Sequence, residues 1–312
     1  MVSVCMITYN HSDFIAQAIE GVLMQKTNFD FELIIADDFS TDNTRKICLD
    51  YYERHPNTIK LVLNNTNIGM MPNFIKALGN CTEKYTALCE GDDYWTDPFK
   101  LQKQIDFLEK NENYNLCFHL GIDYHQEKGI YNYEFINKQE LTFYDFASKG
   151  CFPKTMSAVF RNSENLRQQL TKPWVLSSFG ADYLIYLLNT TDGSSAFYLK
   201  EHMGVYRIHS TGIWTNRNFF ARWKGLVKNI ILYKNHLPLT CKQRLYLNWQ
   251  LKFALINLLY YKNNGIRWYI NKIINRVLFI SGPGIISGVI TNLLYSLVKK
   301  RWGLYLTSNN IK

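Results

Sequence analysis

The sequence predicts an α/β protein, a mostly parallel sheet with helices on both faces, followed by a basic helical extension. Three observations carry this reading. Short apolar runs alternate with amphipathic helical patterns through the first two thirds of the chain, which is the signature of a sheet built from βα units. Three of those runs end in polar clusters. The charge is also divided: 18 of the 35 Lys+Arg and all 26 Asp+Glu lie in residues 1–201, leaving 17 Lys+Arg and no acidic residue after Glu201.

Taken in order, "VSVCMITYN" (2–10) is a β-branched apolar run of the kind buried on both faces of a sheet. From Ser12, "SDFIAQAIEGVLMQ" places Phe14, Ile15, Ala18, Ile19, Val22 and Leu23 on one helical face, with Ser12 or Asp13 as expected cap. "FELIIADDFSTDNTRKICLDYYERH" repeats the scheme, with a strand through Ala36 and a helix from about Asp42 capped by Ser40 or Thr41. "IKLVLN" (59–64) predicts a third strand and "MPNFIKALGN" a short helix with Pro72 near its first turn. "KYTALC" (84–89) predicts a fourth strand, and residues 97–111 a helix with Pro98 at its start. Further on, "NLCFHLGIDYH" and "TMSAVFRN" read as strands, residues 180–189 as a helix, and "SAFYLKEHMGVYRIH" as the last strand. The α/β domain therefore closes at residue 215, and residues 216–312 form the basic region.

In that region, residues 222–236, 240–264 and 266–280 carry amphipathic helical patterns with Lys and Arg among apolar residues. This interleaving favours an anionic membrane surface over nucleic acid, and a homodimer face is an alternative role for the same helices. Val277 to Val298 is uncharged over 22 residues, long enough to span a bilayer, but "SGPG" interrupts it and 13 of the 22 are apolar. Peripheral attachment is the expectation. Seven cysteines without a CxxC pair suggest reduced, mostly buried thiols. With no basic n-region or cleavage site at the N-terminus, a cytoplasmic location on the inner face of the membrane is expected.

Ligands of open α/β sheets bind outside the carboxyl ends of the strands. "TYN" (8–10), "ADDFSTD" (36–42) and "CEGDDYW" (89–95) fall at three such ends and converge on one rim if the sheet is parallel. Glu90, Asp92 and Asp93 crowd like charges where packing gains nothing from them, so a positive partner is expected. A hard divalent cation, Mn²⁺ or Mg²⁺, arriving with a diphosphate satisfies that demand. No GxxxxGK[ST] or GxGxxG follows the first strand, which argues against P-loop and dinucleotide-binding proteins.

These strings, with "NIGMMPNFIKAL" between them, resemble the family 2 glycosyltransferases of GT-A fold over residues 1 to 215, closest to bacterial members that build capsule, O-antigen or exopolysaccharide. The resemblance implies inverting transfer from a nucleotide-sugar donor, a UDP-sugar being the first choice, to a saccharide or lipid-linked acceptor. It places Thr8, Tyr9 and Asn10 at the nucleotide, Asp38 on the base with Asp37 beside it, Asp92 on the donor and Asp93 on the metal. Glu90 stands where the family commonly has Asp. "FGADYLIYLL" resembles the segment bearing the acceptor-side base, which makes Asp182 the catalytic candidate. "GVYRIHSTGIW" resembles the segment near metal and diphosphate, giving His209 as a further metal ligand and Arg207 as a donor-binding cation. Two other classes compete: a sugar-phosphate nucleotidyltransferase, disfavoured by the lack of Gly or a basic side chain other than His in "TYNHSDF", and a non-catalytic membrane-peripheral scaffold, disfavoured by the retained carboxylates.

Overall fold

The computed structural model describes residues 1–213, 215 and 217–262, with side chains to Leu258. The described residues fall into two compact units: residues 1–146 with 151–215, and residues 147–150 with 217–262.

In the first unit, β1 (Val2–Thr8), α1 (Ile15–Leu23), β2 (Phe31–Asp37), α2 (Thr44–Arg54), β3 (Ile59–Leu63), α3 (Met70–Gly79) and β4 (Tyr85–Leu88) alternate as the apolar periodicity requires. A two-residue strand, β5 (Tyr94–Trp95), precedes α4 (Lys100–Lys110). Then come β6 (Tyr114–His125), β7 (Ile130–Tyr133), β8 (Glu140–Leu141), α5 (Phe143–Lys149), whose last three residues are counted in the second unit, β9 (Val159–Arg161), α6 (Glu164–Leu170), α7 (Asp182–Leu188) and β10 (Ser195–Ile208). The strands form one sheet in the order β3-β2-β1-β4-β9-β6-β10-β5, with β7 added to β6 and β8 to β10. β1 pairs in parallel with both β2 and β4, so strand order reverses about β1 and opens a crevice beyond Thr8, Asp37 and Leu88. β9 runs antiparallel between β4 and β6, while β6 and β10 pair in parallel. The sheet is thus mixed and mostly parallel.

Val2, Val4 and Met6 of β1, Leu33 and Ile35 of β2 and Ile15, Ile19 and Val22 of α1 are fully buried in one cluster, which anchors β1 in the core.

The helix starts differ from expectation because the expected caps are used to tie loops together. Ser12 donates its backbone N–H to Asp42, and α1 begins later, with Phe14 and Ile15 N–H groups on the His11 carbonyl. Ser40 binds Asp37 and receives the Asn10 N–H at 2.9 Å, leaving Asp42 to accept from Thr44 N–H at 2.9 Å. "TMSAVFRN" is also broken in two. A 3₁₀ turn over Thr155–Ser157 precedes β9 and turns the Met156 carbonyl to the Trp95 indole, 2.9 Å away.

The second unit contains α8 (Phe219–His236), whose cap Asn218 accepts from Ala221 N–H at 2.9 Å, and α9 (Cys241–Lys262). Leu247, Leu251, Leu255 and Leu258 give α9 a buried stripe at helical spacing. No helix among the described residues is long and apolar enough to cross a membrane. The helix expected over 266–280 and the uncharged run Val277 to Val298 lie outside the described residues. Cys5, Cys48, Cys81, Cys89 and Cys117 are buried free thiols.

Candidate active site

The crevice is lined by loops that bond to one another before they bond to any ligand. The Gly91 N–H donates to the Ile7 carbonyl and the Cys89 N–H to the Cys5 carbonyl, which extends the β1–β4 pairing into the acidic turn. Gly91 is required there: a Cβ would come 2.7 Å from Thr8 Oγ1 and 3.0 Å from His11 Nδ1. On the other side of β1, Asn10 adopts φ +55° and its side chain accepts the Thr41 N–H at 2.8 Å. Its neighbour Tyr9 is left exposed, as is Phe39, which adopts φ +63°.

Asp37 and Asp38 are both buried and both occupied. Asp37 pairs with Arg45 at 2.6 Å and with the Ser40 hydroxyl. Asp38 accepts from Asn64 at 3.0 Å and from the backbone N–H groups of Ile68 and Gly69 at 2.9 and 2.8 Å, pinning the loop that leads into α3.

The acidic turn is closed by the Asp93 N–H donating to the Glu90 carbonyl. Oxygen atoms of Glu90, Asp92 and Asp93 come within 4.8 Å of one another. Asp93 is buried; its Oδ1 accepts the Arg207 N–H at 2.9 Å, and its Oδ2 has no partner. Asp92 Oδ2 lies 3.1 Å from His209 Nε2 and 3.7 Å from His11 Nε2. A buried, orphaned carboxylate oxygen amid two further carboxyls and an imidazole is the donor set of a hard divalent cation, and these residues fit one.

Each group titrates accordingly. Burial, with Asp92 and Asp182 nearby, pushes Glu90 up to about 8. Burial and the Asp92 and Glu90 carboxyls raise Asp93. Burial acts the same way on Asp92, but His11 and the hydrogen bond from His209 outweigh it and hold Asp92 below its ordinary value. Burial lowers His11, against the opposing pull of Asp92.

Of the predicted residues, the structure gathers Thr8, Asp92, Asp93, Arg207 and His209 at the mouth of β1, β4 and β10. Arg207 is buried: its guanidinium binds Gln17 and Gln126, and lies 4.5 Å from the Tyr94 ring centroid and 5.2 Å from that of Phe14. Its backbone, and not its side chain, orients Asp93. Asp182 opens α7, and its carboxyl is one of those that raise Glu90. Its Oδ2 accepts a hydrogen bond from Cys151.

Several site residues escape a sequence reading. His11, beside "TYN", is one position beyond a recognised string. Cys151, hydrogen-bonded to Asp182, sits in a stretch without periodicity or motif. Tyr206 is one residue before Arg207; burial, then Asp93, Glu90 and Asp92, push its phenol up, which places it beside the acidic turn.

A family model described as "Glycosyl transferase family 2" matches residues 3–166. The chain belongs to glycosyltransferase family 2. An uncharacterized protein of Mycobacterium tuberculosis is 36% identical to this family 2 chain over 231 residues, covering 72% of the chain and 64% of the relative. The chain thus spans a little under two thirds of that relative's length. The dTDP-rhamnosyl transferase RfbG of Shigella flexneri is 27% identical over 243 residues, covering 72% and 79%. Among solved structures, the mannosyltransferase PcManGT of Pyrobaculum calidifontis, in complex with GDP-Man and Mn²⁺, superposes with a TM-score of 0.59 at 16% identity over 97% of this chain and 87% of its own. At that identity the likeness speaks for the fold, which is GT-A.

Proposed function

We propose that the chain transfers a sugar, with inversion, from a nucleotide-diphosphate sugar to a saccharide or lipid-linked saccharide acceptor in the assembly of a cell-surface polysaccharide. The observation that carries this reading is the acidic turn at the β1 switch point, with Asp93 Oδ2 buried and unpartnered. The nucleotide-sugars named for RfbG and PcManGT support the donor class.

Thr8, Tyr9, Asn10, Asp37 and Asp38 shape the nucleotide end of the crevice, and Tyr9 offers an exposed ring there. Asp92 meets the donor sugar. Asp93, with His209 at hand, would hold Mn²⁺ or Mg²⁺, which would supply positive charge for the departing diphosphate. Asp182 takes the proton of the acceptor hydroxyl as its oxygen bonds to the anomeric carbon and the bond to the diphosphate breaks. Arg207 fixes Asp93 through its N–H and leaves a positive charge behind the turn.

Incubating the full chain with a panel of UDP-, GDP- and dTDP-sugars and Mn²⁺ tests this reading. Release of a nucleoside diphosphate from one donor, and loss of metal-dependent nucleotide binding in Asp93→Ala, are expected; a chain that binds and turns over none of them refutes the proposal.

The basic region is proposed to hold the enzyme on the cytoplasmic face of an anionic membrane, near a lipid-linked acceptor. No acidic residue after Glu201 offsets its charge. Full-length protein should sediment with vesicles containing phosphatidylglycerol, less so as salt rises, and not with neutral vesicles; equal binding to both contradicts the idea.

A further inference from the structure

Across the acidic turn from β1 and β2, the ends of β6 and β10 present a second polar cluster. Asp123 and Tyr206 are register partners on these strands. Lys154 Nζ lies 2.7 Å from Asp123 Oδ1 and 4.9 Å from the centroid of the Tyr206 ring. The stem of Lys154 lies so close over Gly121 that a Cβ there would come 2.9 Å from its Cγ, so the glycine lets the lysine lie flat on the strand. Neither charge is lost to solvent, and neither is fully buried: the side chains are 24% and 29% exposed. Cys151, three residues before Lys154, hydrogen-bonds Asp182, and Tyr206 immediately precedes Arg207, whose N–H donates to Asp93. The ion pair therefore borders the side of the crevice where an acceptor hydroxyl must meet its base.

We infer that Lys154, Asp123 and Tyr206 form a subsite that selects a neutral sugar as the acceptor, which rests on the transfer reading above. An ammonium and a carboxylate side by side offer a donor and an acceptor at the spacing of neighbouring sugar hydroxyls, and a phenol ring beside them covers an apolar sugar face. Their charges cancel. Lys154 is thus unavailable to a uronate or phosphate, which would have to displace Asp123 and leave that carboxylate unpaired beside the acidic turn. Glu134, the other carboxyl near Lys154, accepts the Gly121 N–H at 2.8 Å and adds no positive charge.

The test compares transfer by the full chain to a panel of aryl hexosides and the matching uronides. The unaltered enzyme should favour the neutral series by about tenfold or more in kcat/KM, roughly the cost of one unpaired charge. Asp123→Asn exposes the lysine and should shift the ratio about tenfold toward the uronides. Lys154→Met should raise KM for neutral acceptors while leaving acceptor-free donor hydrolysis and metal-dependent nucleotide affinity unchanged, a split that a merely structural role does not produce. Preference of the unaltered enzyme for uronides, or an unshifted ratio in Asp123→Asn with donor hydrolysis intact, overturns the subsite alone. Absence of transfer to every acceptor, together with absence of donor hydrolysis, in the unaltered enzyme overturns the transfer reading and the subsite with it.

Discussion

The thiol of Cys151 donates a hydrogen bond to Asp182 Oδ2, with sulfur and oxygen 3.2 Å apart. Asp182 Oδ1 accepts the Tyr183 N–H at 2.8 Å, so both oxygens of the proposed base are oriented by the chain. Desolvation and the Asp182 carboxylate push the thiol well above its usual range, and it remains a donor at neutral pH. Cys151→Ser should keep most of the activity, whereas Cys151→Ala should lower kcat several-fold with donor KM unchanged, as expected for loss of one hydrogen bond worth about 1 kcal/mol. Asp182→Asn should remove transfer yet retain metal-dependent nucleotide binding by calorimetry; full transfer in that variant eliminates Asp182 as the base.

Glu90 gives the metal-free protein a pH dependence of stability. Its carboxyl rises from an ordinary value of 4.5 to about 8 on folding, so between those values the folded state holds the extra proton. Stability falls as pH rises through that window, by at most about 1.4 kcal/mol per pH unit for one proton. Thermal melts with EDTA should show the decline and Glu90→Gln should flatten it. Added Mn²⁺ should stabilise most at the alkaline end, where the carboxylates no longer compete with protons.

Lys100 is a charge in the core. It is fully buried, its Nζ has no hydrogen-bond partner, and it lies 3.9 Å from the centroid of the Trp95 ring. Burial lowers it from 10.5 to about 7. The unfolded chain therefore binds the proton more tightly between pH 7 and 10.5, and the wild type gains stability as pH rises there. Lys100→Met should stabilise the protein by about 1–4 kcal/mol near pH 7, with the difference from wild type shrinking toward pH 10 in urea titrations. A destabilised variant contradicts this account.

Gly91 tests the joint between β1 and the acidic turn. Gly91→Ala forces a methyl against Thr8 and His11 and should cost about 1–3 kcal/mol of stability, the usual cost of overpacking. Because the same shift moves the turn, nucleotide binding in Mn²⁺ should weaken more than the folded fraction falls.

What a sequence can show depends on whether its signal is local. The strands β1 to β4 and their helices announce themselves by apolar periodicity, and "EGDDYW" by an excess of carboxylates that no core requires. β5 is two residues long, too short for any period, and β9 exists only because β4 and β6 offer it edges to pair with. Asp38, expected on the base of a nucleotide, is also bonded to Asn64 and to the Ile68 and Gly69 amides, 26 to 31 residues away, and no linear string shows those bonds. Arg207 reads as a cation for the donor, but its place between Tyr94 and Phe14 is set by β10 meeting α1, which no linear string records. Lys100 looks like an ordinary first-turn lysine; only the depth of Trp95 makes it unusual.

Strand β10 closes the sheet late in the chain, and this has a consequence for how the enzyme comes into being. The Arg207 N–H that orients Asp93 comes 114 residues later, and the His209 ring that meets Asp92 comes 117 residues later. At translation rates of about 5–20 residues per second, the acidic turn leaves the ribosome roughly ten seconds before its partners exist. A nascent chain therefore carries a cluster of mutually repelling carboxylates that β1 and His11 can hold but that still lacks the Arg207 N–H and the His209 ring. Completion of β10 is the moment at which an open loop becomes a site, so a stalled or truncated chain is born without its chemistry.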